Sequence, residues 1–147
     1  MGSTINRRDM SILLVEDDEI DRRAIRRAFR ENEVDCTITE ATNGQEALAV
    51  LRGESDETLP RRHLILLDIN MPQMDGIEFL RVLRTEESDP SIRDSVVFIL
   101  TTSAAEQDRT RAYEQHVAGY IVKPDYTNGL TRIVSMLKNY NQLVEFP

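Results

Sequence analysis

Leu64-Ile65-Leu66-Leu67 runs without a polar residue straight into Asp68, and it is one of five strand-like segments. Ile12-Leu13-Leu14-Val15 runs into Glu16-Asp17-Asp18, and Cys36-Thr37-Ile38-Thr39-Glu40 is rich in β-branched residues. Val96 to Leu100 precedes Thr101-Thr102-Ser103, and Tyr120-Ile121-Val122 precedes Lys123-Pro124. A strand with one wet face alternates apolar and polar residues, so runs that are apolar throughout predict strands covered on both faces, as in a parallel sheet. Helical patterns fill the gaps. Ile20, Ala24, Ile25, Ala28 and Phe29 form one apolar arc between Glu19 and Asn32. Asn43 with Glu46, Asp75 with Glu78 and Ser103 with Glu106 are capping patterns that open the second, third and fourth helices, the second running from Gly44 to about Arg52. Leu130, Ile133, Val134, Leu137 and Tyr140 stripe a last helix from about Tyr126 to Asn141. The pattern predicts an α/β fold of (βα)5 type. Right-handed crossovers would place helices on both sides of a five-stranded parallel sheet. Residues 53–62 and 85–95 read as long polar surface connections.

At 147 residues the chain is one domain's worth, and its apolar share of 40% suffices for a core without staples. One cysteine, Cys36, excludes an intrachain disulfide framework and a cysteine zinc site, and it fits a reducing cytoplasm. A net charge of −8 opposes binding to phosphate backbones and suits a site that gathers cations. The longest apolar run, Val96–Leu100, is far short of the roughly 20 residues needed to span a bilayer. Neither nucleic acid nor a membrane is an expected partner.

Chemistry is expected at the strand ends, because an open parallel sheet binds ligands beyond its carboxyl edge where strand order reverses. With the first and third strands adjacent, Glu16, Asp17, Asp18 and Asp68 converge. Two like charges about 4 Å apart repel by roughly 4 kcal/mol at an effective dielectric of 20, so such a group needs a cation or a proton. Oxygen donors without His or Cys favour Mg2+ or Mn2+. The fourth strand adds the hydroxyls of Thr101 and Thr102, and the fifth adds the ammonium of Lys123. Acids, hydroxyl and ammonium together suit a phosphoryl group with one acid as nucleophile. Singly, each has a plainer reading: Asp17, Asp18 or Asp75 as a helix cap, Thr101 as a strand end, Lys123 as a solvated lysine. Their joint occurrence at four strand ends overrides those readings.

The segments Ile12–Asp18, Leu66–Gly76, Leu100–Ser103 and Gly119–Pro124 resemble the receiver domain of two-component response regulators, in order and over about Met10 to Asn141. The resemblance implies a flavodoxin-like (CheY-like) fold with strand order 2-1-3-4-5. It divides the chain into an extension (1–9), a receiver (10–141) and a tail (142–147), with no output module. It implies Asp68 as phosphoacceptor, a metal held by Glu16, Asp17, Asp68 and the Asn70 carbonyl, and Mg2+ or Mn2+ as that metal. It further implies Thr101, with Thr102 beside it, and Lys123 as phosphoryl partners, Tyr120 as the aromatic that follows Thr101, and a cis Lys123–Pro124 bond. Glu16 stands where an aspartate is commoner. The implied role is a single-domain, cytoplasmic phosphoacceptor rather than an enzyme with a product of its own. It would be served by a sensor histidine kinase, with a histidine phosphotransfer protein as a further candidate partner. Ala112–Val117, the loop before the third strand and the tail are similar to regulators paired with bacterial phytochrome kinases.

Arg22, Arg23, Arg26, Arg27 and Arg30 lie on the first helix opposite its apolar arc. They read either as a solvated face buffered by Asp18, Glu19 and Glu31 or as a kinase-docking surface, where the family commonly docks this helix. The apolar tail residues Leu143, Val144 and Phe146 either fold back or join the fourth and fifth helices and fifth strand in a homodimer. His116 reads as a helix-end residue. The fourth helix is poorly anchored, beyond Ala104, Ala105, Ala112 and Tyr113, and is the element expected to shift. Two other readings compete. A Mg2+-dependent phosphohydrolase needs an acid two residues past its nucleophile, where Asn70 stands. A receiver that has lost phosphorylation would not keep the full acid, Thr and Lys set.

Overall fold

The computed structural model describes residues 9–71, 74–124 and 129–147. Five strands, β1 (Met10–Val15), β2 (Cys36–Ala41), β3 (Leu64–Leu67), β4 (Val96–Thr101) and β5 (Gly119–Val122), form one sheet in the order β2-β1-β3-β4-β5. Every pairing is parallel, with Ile12 beside both Ile38 and Leu64. The helices are α1 (Glu19–Glu31), α2 (Gly44–Leu51), α3 (Gly76–Glu86), α4 (Pro90–Arg93), α5 (Glu106–Glu114) and α6 (Gly129–Leu143).

The uninterrupted apolar runs do what such runs must. All residues of β1 and β3 are buried. Alternate side chains serve two separate cores. Leu13, Val15, Ile65, Leu67, Val97 and Ile99 face α2, α3 and α5, whereas Ile12, Leu14, Leu64, Leu66, Phe98 and Leu100 face α1 and α6. The edge strands depart from the expectation of two covered faces. Among the described residues β5 has no neighbour beyond it, and Val122 is 44% exposed.

The helix starts show where local chemistry decides and where it does not. Asn43 Oδ1 accepts from the Glu46 N–H at 2.9 Å, and Asp75 Oδ1 accepts from the Glu78 N–H at 2.8 Å, as their spacing predicts. Ser103 does not open the fourth expected helix. α5 begins at Glu106, after Ala105, without a side-chain cap. The reason is competition. The Ser103 hydroxyl donates to Asp108 at 2.6 Å and accepts from the Ala105 N–H at 3.3 Å, while its carbonyl accepts from the Tyr120 hydroxyl at 2.8 Å. The 85–95 polar connection contains a short helix. Asp89 caps Ser91 and Pro90 sits at the first helical position, which together form the single turn α4. The last helix runs to Leu143, past Asn141, and the Tyr126 start lies outside the described residues. His116, just past the end of α5, takes the left-handed conformation at φ 59° and returns its N–H to the Tyr113 carbonyl, a helix-terminating geometry.

Phe146 folds back onto its own chain. Its ring meets Tyr140 edge-on, with centroids 5.9 Å apart, and the Arg62 guanidinium sits 4.0 Å above it. Arg62 also donates to the Asn141 side chain and carbonyl, tying the loop before β3 to the end of α6.

His63, at the opposite edge of the sheet from the acids, is buried between the Pro60 carbonyl and the Ser95 hydroxyl, each 2.8 Å away. Burial holds its pKa below the usual 6.5, with the Pro60 and Arg61 backbone partly opposing this. The unfolded chain therefore takes up a proton at a pH where the folded one does not. The stability that neutral His63 lends is whole above pH 6.5 and drains away as pH falls towards its lowered pKa. Between pH 7.5 and 5, urea denaturation should show the wild type losing more stability than His63→Asn. An equal or smaller loss in the wild type would contradict this.

Candidate functional site

The ends of β1 and β3 bring the acids together. The Glu16 N–H bonds to Ala41 O and the Asp68 N–H to Val15 O, each at 3.0 Å, so the ladder continues one residue beyond the strands. Asp18 then caps α1, accepting from the Ile20 N–H at 2.8 Å and the Asp21 N–H at 3.3 Å. With Asp18 used as the cap, Glu16 and Asp17 remain for the crevice. Carboxylate oxygens of Glu16, Asp17 and Asp68 lie within 4.8 Å of one another. Glu16 and Asp68 are buried and Asp17 is exposed.

Lys123 closes the crevice. Its ammonium donates to Glu16 Oε1 at 2.6 Å, to Asp21 Oδ2 at 2.7 Å and to Asp68 Oδ2 at 3.4 Å, with its side chain 6% exposed. Its own N–H reaches Thr101 O, which pins the end of β5 to the end of β4. Burial pushes the Glu16 carboxyl up to about 7; Lys123 opposes this and the Asp68 charge adds to it. Burial alone would lower the Lys123 ammonium. The bonds to Asp21 and Glu16 and the Asp68 charge outweigh it and raise the group above the usual lysine value.

Thr101 is fully buried. Its hydroxyl oxygen accepts from Asn70 Nδ2 at 3.4 Å and from the Ser103 N–H at 3.3 Å. Asn70 also donates its backbone N–H to Asp68 Oδ1 at 3.0 Å. Thr102 is exposed, and the structure does not draw it into these contacts. Tyr120 packs half-buried against the α2–α3 core and reaches the site through the Ser103 carbonyl. The expectation of a cis Lys123–Pro124 bond is corrected: among the described residues every peptide bond is trans. An X–Pro bond favours trans by only about 0.5–1 kcal/mol, so the surroundings rather than the dipeptide decide. Gly76 starts α3 hard against the site. A Cβ there would lie 2.6 Å from Ile69 Cα and 2.7 Å from Asp68 O, closer than carbon can approach.

Asp21 and the Asn70 amide are the two site groups that motif reading missed. The signal for Asp21 was present, an acid in the first turn of a helix that leaves the crevice, but it also has the ordinary meaning of a residue favoured by the helix dipole.

The donor set fits a hard divalent cation. It consists of oxygens only, from three carboxylates at close quarters, and it carries more negative charge than one ammonium cancels.

Comparison with known proteins gives this geometry a context. A family profile described as the response regulator receiver domain matches residues 12–135. The chain belongs to the response regulator receiver domain family. The receiver is 33% identical to "Response regulator Rcp1" of Synechocystis over 88% of this chain and 86% of that one. Among solved structures it resembles the phosphorylated cyanobacterial phytochrome response regulator RcpA, with TM-score 0.79 and 34% identity over 94% of this chain and 98% of that one. It also resembles the Mn2+-bound form of Rcp1, with TM-score 0.77 and 30% identity over 94% and 99% of the two chains. Membership places the protein in two-component signalling.

The arginines of α1 are less free than their spacing implied. Arg22 and Arg26 both pair with Glu40 of β2 at 3.0 Å, and Arg22 also donates to the Glu16 carbonyl. Arg23 pairs with Glu19 at 2.9 Å and Arg27 with Glu31 at 2.7 Å. Arg30 lies exposed in the last turn. Arg22, with its side chain 16% exposed, braces the β1–α1 junction.

Proposed function

We propose that the receiver accepts a phosphoryl group on Asp68 from a phosphohistidine of a sensor kinase, with Mg2+ held by Glu16, Asp17, Asp68 and the Asn70 carbonyl. The observation that carries this reading is the convergence of Lys123 on Glu16 and Asp68 beside Asp17, with the buried Thr101 hydroxyl one residue away through Asn70. A bound divalent cation supplies charge neutralisation for the phosphoryl group in flight. An Asp68 oxygen forms the P–O bond as the donor's P–N bond breaks, and the bonding pair stays on the leaving nitrogen. Lys123 keeps its protons and donates to a phosphoryl oxygen. Thr101 turns its hydroxyl to another, leaving the Ser103 N–H, and Tyr120 follows through Ser103.

The protein then acts by docking rather than by forming a product. The kinase meets α1 through Arg23, Arg26, Arg27 and Arg30, and the likeness to RcpA and Rcp1 favours a phytochrome-type kinase as the donor. Tyr113, Val122, Met136 and Leu143, exposed on α5, β5 and α6, offer a face for a second copy of the chain or for a histidine phosphotransfer protein. No helix among the described residues is long and apolar enough to cross a membrane.

The deciding experiment is incubation with a small phosphoramidate and Mg2+, followed by intact-mass measurement. One phosphoryl group should add to the wild type, and a chelator should prevent it. Continuous donor turnover without an adduct would make the protein a phosphohydrolase. Asn70 already disfavours that outcome, since an amide cannot supply the proton an acid would. No adduct and no turnover would leave a receiver that signals without phosphate.

A further inference from the structure

Asp21 stands outside the three acids that the sequence motifs single out, yet its contact with Lys123 Nζ, at 2.7 Å, is within 0.1 Å of that of Glu16 and closer than that of Asp68. An ammonium has three N–H donors, and here they face three carboxylates from three parts of the chain. Two of these carboxylates, Glu16 and Asp68, belong to the group whose oxygens converge within 4.8 Å. A divalent cation there draws on the same Glu16 carboxylate that Lys123 uses, so cation and ammonium compete for it. Asp21 is the partner that the cation leaves to Lys123. Its own position is fixed, because it lies in the first turn of α1 and its N–H is held by the Asp18 cap.

We infer, resting on the phosphoacceptor reading above, that Asp21 is a positioning residue for phosphoryl transfer. It retains the Lys123 ammonium at the rim of the crevice when a cation claims Glu16. The two remaining N–H donors then face the phosphoryl oxygens as the P–O bond to Asp68 forms and the donor's P–N bond breaks. A four-carbon side chain released by Glu16 and lacking this anchor would spread over many rotamers and be misplaced for the transfer.

The sequence makes the test direct, because it holds only two lysines, Lys123 and Lys138. Selective 15Nζ-lysine labelling gives one ammonium signal for each. In the wild type the Lys123 signal should stay sharp and slow to exchange when Mg2+ is added. In Asp21→Asn it should broaden on Mg2+ addition while Lys138 is unmoved, and Asp21→Glu should restore it. Phosphoryl addition from phosphoramidate at saturating Mg2+ should slow about tenfold in Asp21→Asn and recover in Asp21→Glu, as expected for loss of orientation. Glu19→Gln removes another first-turn acid of α1 and should match the wild type in both measurements, which separates positioning from a helix-dipole effect. If the wild type takes up no phosphoryl group, the phosphoacceptor reading fails and this inference falls with it. If the wild type is modified and Asp21→Asn equals it in rate and in the Lys123 signal, the role of Asp21 alone is overturned. A slowing that Glu19→Gln shares equally would overturn it too.

Discussion

Asp68→Asn should take up no phosphoryl group under conditions expected to modify the wild type, and it should stay folded. An amide lacks the anionic oxygen that attacks phosphorus, and deleting a nucleophile that works within a constellation costs on the order of a thousandfold or more. The backbone around it needs nothing from the charge. The Asp68 N–H is held by the Val15 carbonyl, and an asparagine oxygen still accepts from the Asn70 N–H. Removing the charge also relieves Glu16, whose carboxyl Asp68 helps to push up. Lys123 keeps its two shorter contacts, to Glu16 and Asp21. Stability in chelator should therefore equal the wild type or exceed it by up to about 1 kcal/mol, the usual sign when a functional charge is removed. Intact mass reads the first effect and urea denaturation the second. An Asp68→Asn chain that still gained a phosphoryl group would move the nucleophile to another acid.

Lys123→Met should have the opposite signature. The wild-type ammonium faces Glu16 and Asp68 where their side chains are only 2% and 7% exposed. Taking away this ammonium leaves buried carboxylates uncompensated, which costs about 3 kcal/mol or more when one partner of a buried pair is removed. For a chain of this size that is a fall in Tm of about 10 °C in chelator. Mg2+ should return most of it, and its stabilising effect should be larger on the variant than on the wild type, since the cation no longer competes with an ammonium for Glu16. Thermal unfolding in chelator and in Mg2+ decides the matter. Equal Tm values for variant and wild type in chelator would mean that the acids remain solvated without Lys123.

What could be read from the chain follows from the range of the forces involved. Ile12–Val15, β3 and Val96–Leu100 were legible because burial on both faces leaves no polar position in the run. Asn43 and Asp75 were legible because a cap bond spans three residues. Ser103 has the same local signature and failed, since its hydroxyl, carbonyl and N–H are each claimed by Asp108, Tyr120 and Thr101. Asp89-Pro90 carried a helix-start signal within a segment read as a polar surface connection, and a helix of one turn has no periodicity to reveal it. Glu16, Asp17, Asp68, Thr101 and Lys123 could be read as a group because parallel strands deliver their ends to one edge. Asp21 and the Asn70 amide could not, because their partners are set by the angle at which chain segments meet. The α1 arginines show the same limit: Glu40, which holds two of them, comes from β2.

Arg84, in the last turn of α3, is half-buried and spends its guanidinium on carbonyls. It donates to Gln115 and His116 at the end of α5 and to Arg93 and Ser95 before β4. α5 is thus moored firmly at the end far from the acids. At the near end it has no side-chain cap and hangs on the Ser103–Asp108 bond, and Ala112, near its moored end, is its one buried residue. A rod fastened at one end swings rather than slides. If the proposed phosphoryl transfer draws Thr101 away from the Ser103 N–H, the motion open to α5 is rotation about Gln115 and His116, largest beside the acids and vanishing at Arg84.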